Sequence, residues 1–372
     1  MKTKKTSKTK KTAKKAAAKK RIDTIDFANL QFGKIHTDHM VVVRYAAGKW
    51  GKTQLVPYGP LELMPSISAL HYGQAVFEGM KVFSAEAIPS ANGKAAAGKG
   101  KRRTLVYRPL AHVARFNRSL ERLAMPQVSK ELFVGAVEKL VAKDAEWAHR
   151  AGQLYLRPFM FSVDTALGVK VADEYLFMVF ACPVGPYYSK PLNLKIETEY
   201  SRSAPGGVGF SKAAGNYAAS MLPTKLAQQA GFDQLIWTDA ATHSYVEESG
   251  TMNILFVIDG KLVTPNLSNT ILAGITRDSI IAIAKEWNIP VEERKVAVAE
   301  LVEGLAKGTV TEVFGAGTAA TIIAVESITH DGKKYPLPKA DEKSLSAKIY
   351  AELEAIKRGK KADARGWMHQ VN

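Results

Sequence analysis

The stretch Gly206-Gly-Val-Gly-Phe-Ser-Lys-Ala-Ala-Gly-Asn-Tyr217 sets a single lysine, Lys212, among small, apolar and aromatic residues. No other charged residue lies between Ser203 and Pro223, in a chain otherwise full of lysine. An ammonium group kept away from water is driven towards the neutral amine, which is a nucleophile able to form a Schiff base with a carbonyl compound. Tyr217 follows closely enough to offer its phenol to whatever Lys212 holds. The glycines alone fit a solvated surface turn equally well, so the meaning of the stretch depends on its surroundings.

Downstream, Glu248-Ser-Gly-Thr-Met-Asn253 leads into the apolar run Ile254-Leu-Phe-Val-Ile258, a strand opened by a carboxylate. Ile271-Leu-Ala-Gly-Ile-Thr-Arg-Asp-Ser279 then opens a helix. A Gly-Ile-Thr turn at that point presents free backbone N–H groups and the positive end of the helix dipole, a natural seat for a phosphate. Gly315-Ala-Gly-Thr-Ala319, after the strand ending at Phe314, is a second turn of this kind. Upstream, the aromatics and glycines of Leu70-His-Tyr-Gly-Gln-Ala-Val-Phe-Glu-Gly-Met-Lys-Val-Phe83 suggest a pocket wall. Arg108-Pro-Leu-Ala-His-Val-Ala-Arg115 reads as a helix with proline near its start. An isolated lysine, a carboxylate at the head of a strand and two phosphate-type turns are what a phosphorylated pyridine cofactor requires.

Taken together, these segments resemble the fold-type IV, pyridoxal-phosphate-dependent aminotransferases, and most closely the branched-chain amino acid aminotransferases. The resemblance runs from about Phe32 to the Gly366-Trp-Met-His ending. It is most specific at Phe32-Gly-Lys with Thr37-Asp-His-Met, at His71-Tyr-Gly-Gln-Ala-Val-Phe-Glu-Gly, at Gly206 to Tyr217, and at Glu248-x-Gly-Thr-x-Asn. It implies an α/β chain of two domains, a smaller N-terminal α/β domain and a larger C-terminal pseudo-barrel, with pyridoxal 5′-phosphate between them.

Residue by residue, the resemblance implies that Lys212 forms the Schiff base and then shuttles a proton. Glu248 pairs with the pyridine nitrogen. Glu247 is its rival, but adjacent strand residues face opposite sides and the Glu-x-Gly-Thr spacing selects Glu248. Tyr217 meets the 3-hydroxyl oxygen, and Arg115 holds the phosphate with Ile275, Thr276 and Thr318; Thr251 also lies at the site. Phe32, Tyr72, Phe77, Tyr155 and Tyr187 match an aromatic substrate pocket, Val169 a residue lent by a second subunit. The substrate's α-carboxylate meets the backbone N–H groups of Thr318 and Ala319. Arg157 and the tyrosines accept glutamate's side-chain carboxylate as well as leucine's methyls. The implied reaction is reversible amino transfer between L-leucine, L-isoleucine or L-valine and 2-oxoglutarate by a homodimer. The Cys-x-x-Cys that animal members carry after the Gly-Thr-Ala turn is replaced here by Ala320 and Ile323, so no thiol switch is available.

The rest of the chain sets limits. Its 372 residues, 46% hydrophobic and 23% charged, suit a two-domain globular enzyme. The proline cluster Pro183, Pro186 and Pro191 after a buried strand places a domain boundary near residue 189, giving domains of 22–188 and 189–372. The longest apolar run, Tyr175 to Gly185, is too short to span a bilayer. One cysteine, Cys182, excludes an internal disulfide and any Cys-x-x-Cys metal or redox motif, and suits a reducing, cytoplasmic setting. Of the net charge of +17, residues 1–21 carry +11 and the remainder +6. Residues 1–21 are expected to be a disordered tail and residues 85–103, rich in Ala, Gly and Lys, a surface excursion. A tail-led nucleic-acid-binding protein is one rival reading. A D-amino acid aminotransferase or aminodeoxychorismate lyase on the same scaffold is another, lacking the Thr-Asp-His-Met and His-Tyr-Gly-Gln pattern.

Strands are expected at 153–161, 174–184, 193–200, 234–238, 252–258 and 310–315. Helices are expected from Ser129 to about His149 and at 218–230, 276–287, 298–306 and 343–357.

Overall fold

A computed structural model describes residues 20–85 and 102–371. Residues 1–19 of the lysine-rich tail and nearly all of the 85–103 segment, on which two of the expectations above fall, lie outside the described residues, while Arg21, counted in the tail, opens the short turn Arg21–Thr24. The described chain is α/β and is built on two sheets.

The first sheet is antiparallel. Its order is Met368–Val371, Arg103–Tyr107, Met80–Ala85, Gln153–Ser162, Tyr175–Pro183, His39–Ala46 and Lys49–Trp50. Gln153–Ser162 and Tyr175–Pro183 pair along their whole length, Leu154 opposite Pro183 and Ser162 opposite Tyr175. Helices Pro109–Arg122 and Lys130–Lys143 turn their apolar sides to this sheet. Phe116, Phe133 and Phe177 meet there with ring centroids 5.5–5.8 Å apart. Ser129 caps the second helix, its Oγ accepting from Leu132 N at 3.1 Å. The helix expected to reach His149 breaks at Asp144 into Lys130–Lys143 and Ala145–Ala151. The buried Asp144 carboxylate instead takes the backbone N–H of His39 at 3.0 Å and contacts His39 Nδ1 at 2.6 Å. A tertiary partner overrides helical continuity here.

The second sheet is mixed and nearly closes. Its order runs Val291–Arg294, Lys261–Pro265, Asn253–Ile258, Val310–Gly317, Thr321–His330, Leu192–Ile196, Gln234–Thr238, Tyr245–Ser249 and Val296–Ala297. The two strands at opposite ends of this order are separated in sequence by Lys295 alone, so the sheet must curl back on itself. That curl is the pseudo-barrel.

Several details depart from the sequence reading. The strand expected over 193–200 ends at Ile196, because the Glu197 carboxylate accepts the N–H groups of Glu199 and Tyr200 and turns the chain. The helix expected over 218–230 is two, Ala214–Ala219 and Met221–Gln229, hinged at Ser220, with Gly231 in the left-handed region beyond it. The long strand Thr321–His330 was not anticipated. Nor was the return of Met368–Val371 to the edge of the first sheet, beside Arg103–Tyr107.

Candidate active site

A cavity of about 490 Å³ opens where the two sheets face each other. The loop bearing Lys212 is stitched to the first sheet and to helix Pro109–Arg122. Phe77 N donates to Lys212 O at 3.0 Å, and Lys212 N donates to Ser119 Oγ at 2.9 Å. Within the loop, Asn216 Nδ2 donates to Val208 O and Ser211 O. Gly209 is required by close approach: a Cβ there would sit 2.7 Å from Thr270 O. Gly206, by contrast, has open space around it and serves through its left-handed backbone, with φ of +78°.

Lys212 is half-buried, and its Nζ donates to Tyr217 Oη at 2.8 Å. The same Nζ lies 4.6 Å from the centre of the Phe77 ring, and the Phe77 and Tyr217 rings are 4.9 Å apart. The amine is thus held between a phenol and an aromatic face.

Glu248 lines the cavity and is almost fully buried. Its Oε1 accepts from Leu272 N at 2.9 Å and Asn253 Nδ2 at 3.1 Å, while Oε2 pairs with Arg202 Nε at 3.1 Å. Burial pushes this carboxyl upward, against the pull of the Arg202 guanidinium. Glu247 turns the other way along the strand, its Oε1 accepting from Thr270 Oγ1 at 2.5 Å, and does not line the cavity. The alternation of a strand separates the two carboxylates, as the spacing predicted.

Helix Ile275–Glu286 begins at the cavity wall with Gly274 as its N-cap residue and no side-chain cap. Its first N–H groups are left for a ligand, and the dipole favours an anion. A Cβ on Gly274 would fall 1.8 Å from Asn253 Oδ1, the residue that also holds Glu248. Ile275, Thr276, Thr251, Thr318 and Ala319 all line the same cavity.

Arg115 also lines it, and its fork is already engaged. Nε and Nη2 donate to the two oxygens of Glu78 at 2.7 and 2.8 Å, and Nη1 to Ala273 O at 3.1 Å, one residue before the helix turn. His112 Nδ1 lies 2.8 Å from the same carboxylate. Glu78 is fully buried. Burial works to raise its carboxyl, but Arg115 and His112 outweigh it and hold the group well below the usual carboxylate range. Sequence reasoning missed Glu78 as a functional residue; the available signal was an acid inside an otherwise apolar strand and turn.

On the far side, Phe32 packs edge-on to Tyr155 and Tyr187 at 4.9 and 5.0 Å. The guanidinium of Arg157 lies 4.5 Å from the Phe77 ring centre, and its Nη2 donates to Tyr155 Oη at 3.2 Å. Among the described residues, the buried Arg157 Nε has no hydrogen-bond partner. Tyr72 and Val169, by contrast, do not line this cavity. Tyr72 is exposed, its hydroxyl donating to Leu167 O, and Val169 is 84% exposed. Lys81, which sequence reasoning left aside, is buried with its Nζ donating to Ala319 O at 2.9 Å.

The donor set fits a phosphorylated pyridine aldehyde. An uncapped helix start and the hydroxyls of Thr276 and Thr318 suit a phosphate, the buried Glu248 suits a ring nitrogen, and an amine beside a phenol suits the aldehyde and its neighbouring hydroxyl.

The chain is similar to known proteins along most of its length. The family model for amino-transferase class IV matches residues 75–328. Branched-chain-amino-acid transaminase 1 of Bacillus subtilis is 40% identical over 353 residues, 93% of this chain and 95% of that protein. The branched-chain-amino-acid aminotransferase of Mycolicibacterium smegmatis is 39% identical over 356 residues, 93% of each. Among solved structures, the branched-chain aminotransferase of the archaeon Thermoproteus uzoniensis, crystallised with norvaline, superposes with a TM-score of 0.72 at 26% identity, covering 90% of this chain and all of that one. The chain belongs to the class IV aminotransferases, within their branched-chain-amino-acid aminotransferase group.

Proposed function

We propose that this cavity transfers an amino group reversibly between branched-chain L-amino acids and 2-oxoglutarate. The observation that carries the reading is the Lys212–Tyr217 pair facing, across one cavity, the buried Glu248 and the uncapped start of helix Ile275–Glu286. The relatives in Bacillus subtilis and Mycolicibacterium smegmatis are named for branched-chain substrates, and the Thermoproteus uzoniensis enzyme was solved with norvaline, an aliphatic amino acid.

Pyridoxal 5′-phosphate, when bound, supplies the carbonyl that links covalently to the amine and the ring that takes up charge from the substrate's Cα. The protein's own residues do the rest. The N–H groups of Ile275 and Thr276 and the hydroxyls of Thr276 and Thr318 hold the phosphate. Arg115, fixed in orientation by Glu78, lends positive charge beside that helix start. Glu248 keeps a proton on the ring nitrogen. Lys212 gives and takes the proton at the substrate's Cα, and Tyr217 steadies its amine between transfers.

Phe32, Phe77, Tyr155 and Tyr187 form an apolar wall for branched side chains, while Arg157 receives a second carboxylate. A pocket of this sort rejects by size only weakly, so one charged group at its edge admits glutamate too. Val169 and Tyr72, exposed on one chain, complete the pocket of a second copy in a homodimer. The domain division lies at 188/189, with Met368–Val371 crossing back. The lone, buried Cys182 suits a cytoplasmic enzyme.

Replacing Lys212 tests the reading. Lys212→Ala should lower leucine transamination by at least about 10⁴-fold, roughly the loss of an essential proton-transfer group, and should release the covalently held cofactor. Substantial turnover by that variant contradicts the proposal.

A further inference from the structure

A second cavity of about 410 Å³ lies directly behind the Thr318–Ala320 turn. Ala319, Ala320 and Tyr187 line both cavities, so the two share a wall. The second has a character of its own. Leu30, Val184, Ile322 and Ile323 give it apolar surface, while Lys81, Arg358 and Glu354 line it as charged groups.

Charge is unbalanced there. Glu354 is already occupied: its Oε2 accepts from Arg358 Nε at 2.9 Å and its Oε1 lies 3.7 Å from Lys357 Nζ. Two cationic side chains, Lys81 and Arg358, thus face the cavity against one carboxylate, with Lys357 behind it. Lys81 and Lys357 are only 6% and 3% exposed. Burial pushes Lys81 down to about 8 and Lys357 down to about 7. An ammonium carries three donors, and among the described residues that of Lys81 has one acceptor, Ala319 O at 2.9 Å. Cations in excess, uncommitted donors and an apolar wall in a cavity of ligand size describe a site for an amphipathic anion.

We propose that this cavity binds a small aliphatic carboxylate, its anionic end on Lys81 and Arg358 and its chain against Leu30, Val184 and Ile323. The site is separate from the one that holds the cofactor. Because Lys81 also holds the Ala319 carbonyl, a carboxylate that draws the ammonium away loosens the peptide forming the shared wall. Occupancy of the rear cavity therefore lowers turnover at the front one. The binding itself is independent of the proposed reaction; its effect on turnover rests on residues 318 and 319 seating the substrate.

The probe is 4-methylpentanoate, an acid with no amino or oxo group to react. Equilibrium dialysis against the intact holoenzyme should give two bound per chain, one of them displaced by excess substrate. With leucine and 2-oxoglutarate both varied, inhibition should include a fall in kcat that saturating both substrates does not relieve. Arg358→Met lies outside the catalytic cavity. It should keep the leucine turnover of the unmodified enzyme without probe, weaken the second binding event at least tenfold and remove the kcat effect. One probe per chain with inhibition fully relieved by saturating both substrates overturns the proposal, as does an unchanged kcat effect in Arg358→Met. Leucine turnover without the probe reports separately on the proposed function.

Discussion

Lys212 Nζ donates to Tyr217 Oη at 2.8 Å, the lysine standing just before helix Ala214–Ala219 and the tyrosine within it. The lysine's amide donates to Ser119 on one helix and its carbonyl accepts from Phe77 on a strand, which fixes where its stem leaves the backbone. The amine at the stem's end is then held by Tyr217 Oη and the Phe77 ring.

That relationship makes Tyr217→Phe an informative change. The ring contact with Phe77 is kept while the hydroxyl is lost. A hydrogen bond to a charged group contributes about 1.5–3 kcal/mol, so kcat with leucine should fall by about 10- to 100-fold with little change in the folding midpoint. Steady-state kinetics and thermal melting together check this.

The Glu78–Arg115–His112 cluster bears on stability. Breaking one member of a buried ion pair costs about 3–5 kcal/mol because a charge is left without a partner. Glu78→Gln should therefore lower the melting temperature markedly, by more than any exposed acid-to-amide change.

The same cluster fixes an acid limit. The Glu78 carboxyl is depressed in the folded state from an ordinary value of 4.5. Its contribution is fully present above that pH and is lost progressively as pH falls below it. Denaturant titrations from about pH 6 to about pH 3 should show a drop in stability that is smaller in Glu78→Gln.

Lys357 predicts a slope of the same sign in a higher pH window. Its folded value of about 7 lies under an ordinary 10.5, so between these pH values the unfolded chain binds more protons and stability rises with pH. Lys357→Met should flatten that rise and leave stability at neutral pH unchanged or higher, since its stem already lies against Phe83 and Tyr107. Unfolding curves at about pH 7 and about pH 9.5 measure the difference.

Much of the site was legible because its chemistry is local in sequence. Lys212 with Tyr217, Glu248 with Thr251, and Ile275 with Thr276 are each carried on one turn or strand, and strand alternation alone separates Glu248 from Glu247. The residues that escaped depend on distant parts of the chain. Glu78 becomes a partner of Arg115 only after a strand and a helix pack together, and Lys81 meets Ala319 from the other sheet. The same distinction holds for the fold. Apolar strands such as Asn253–Ile258 announce themselves, whereas Thr321–His330, with mixed polarity, and Met368–Val371, at the chain's end, are strands because of the neighbours they pair with.

The central claim is amino transfer from a branched-chain L-amino acid through a cofactor held by Lys212. It is tested most directly by the visible absorption of the purified holoenzyme, titrated separately with L-leucine and D-alanine. L-leucine should shift the lysine-bound cofactor band to that of the amine form, 2-oxoglutarate should restore it, and D-alanine should leave it in place. A band that answers only to D-alanine, or no band even with added cofactor, would contradict it.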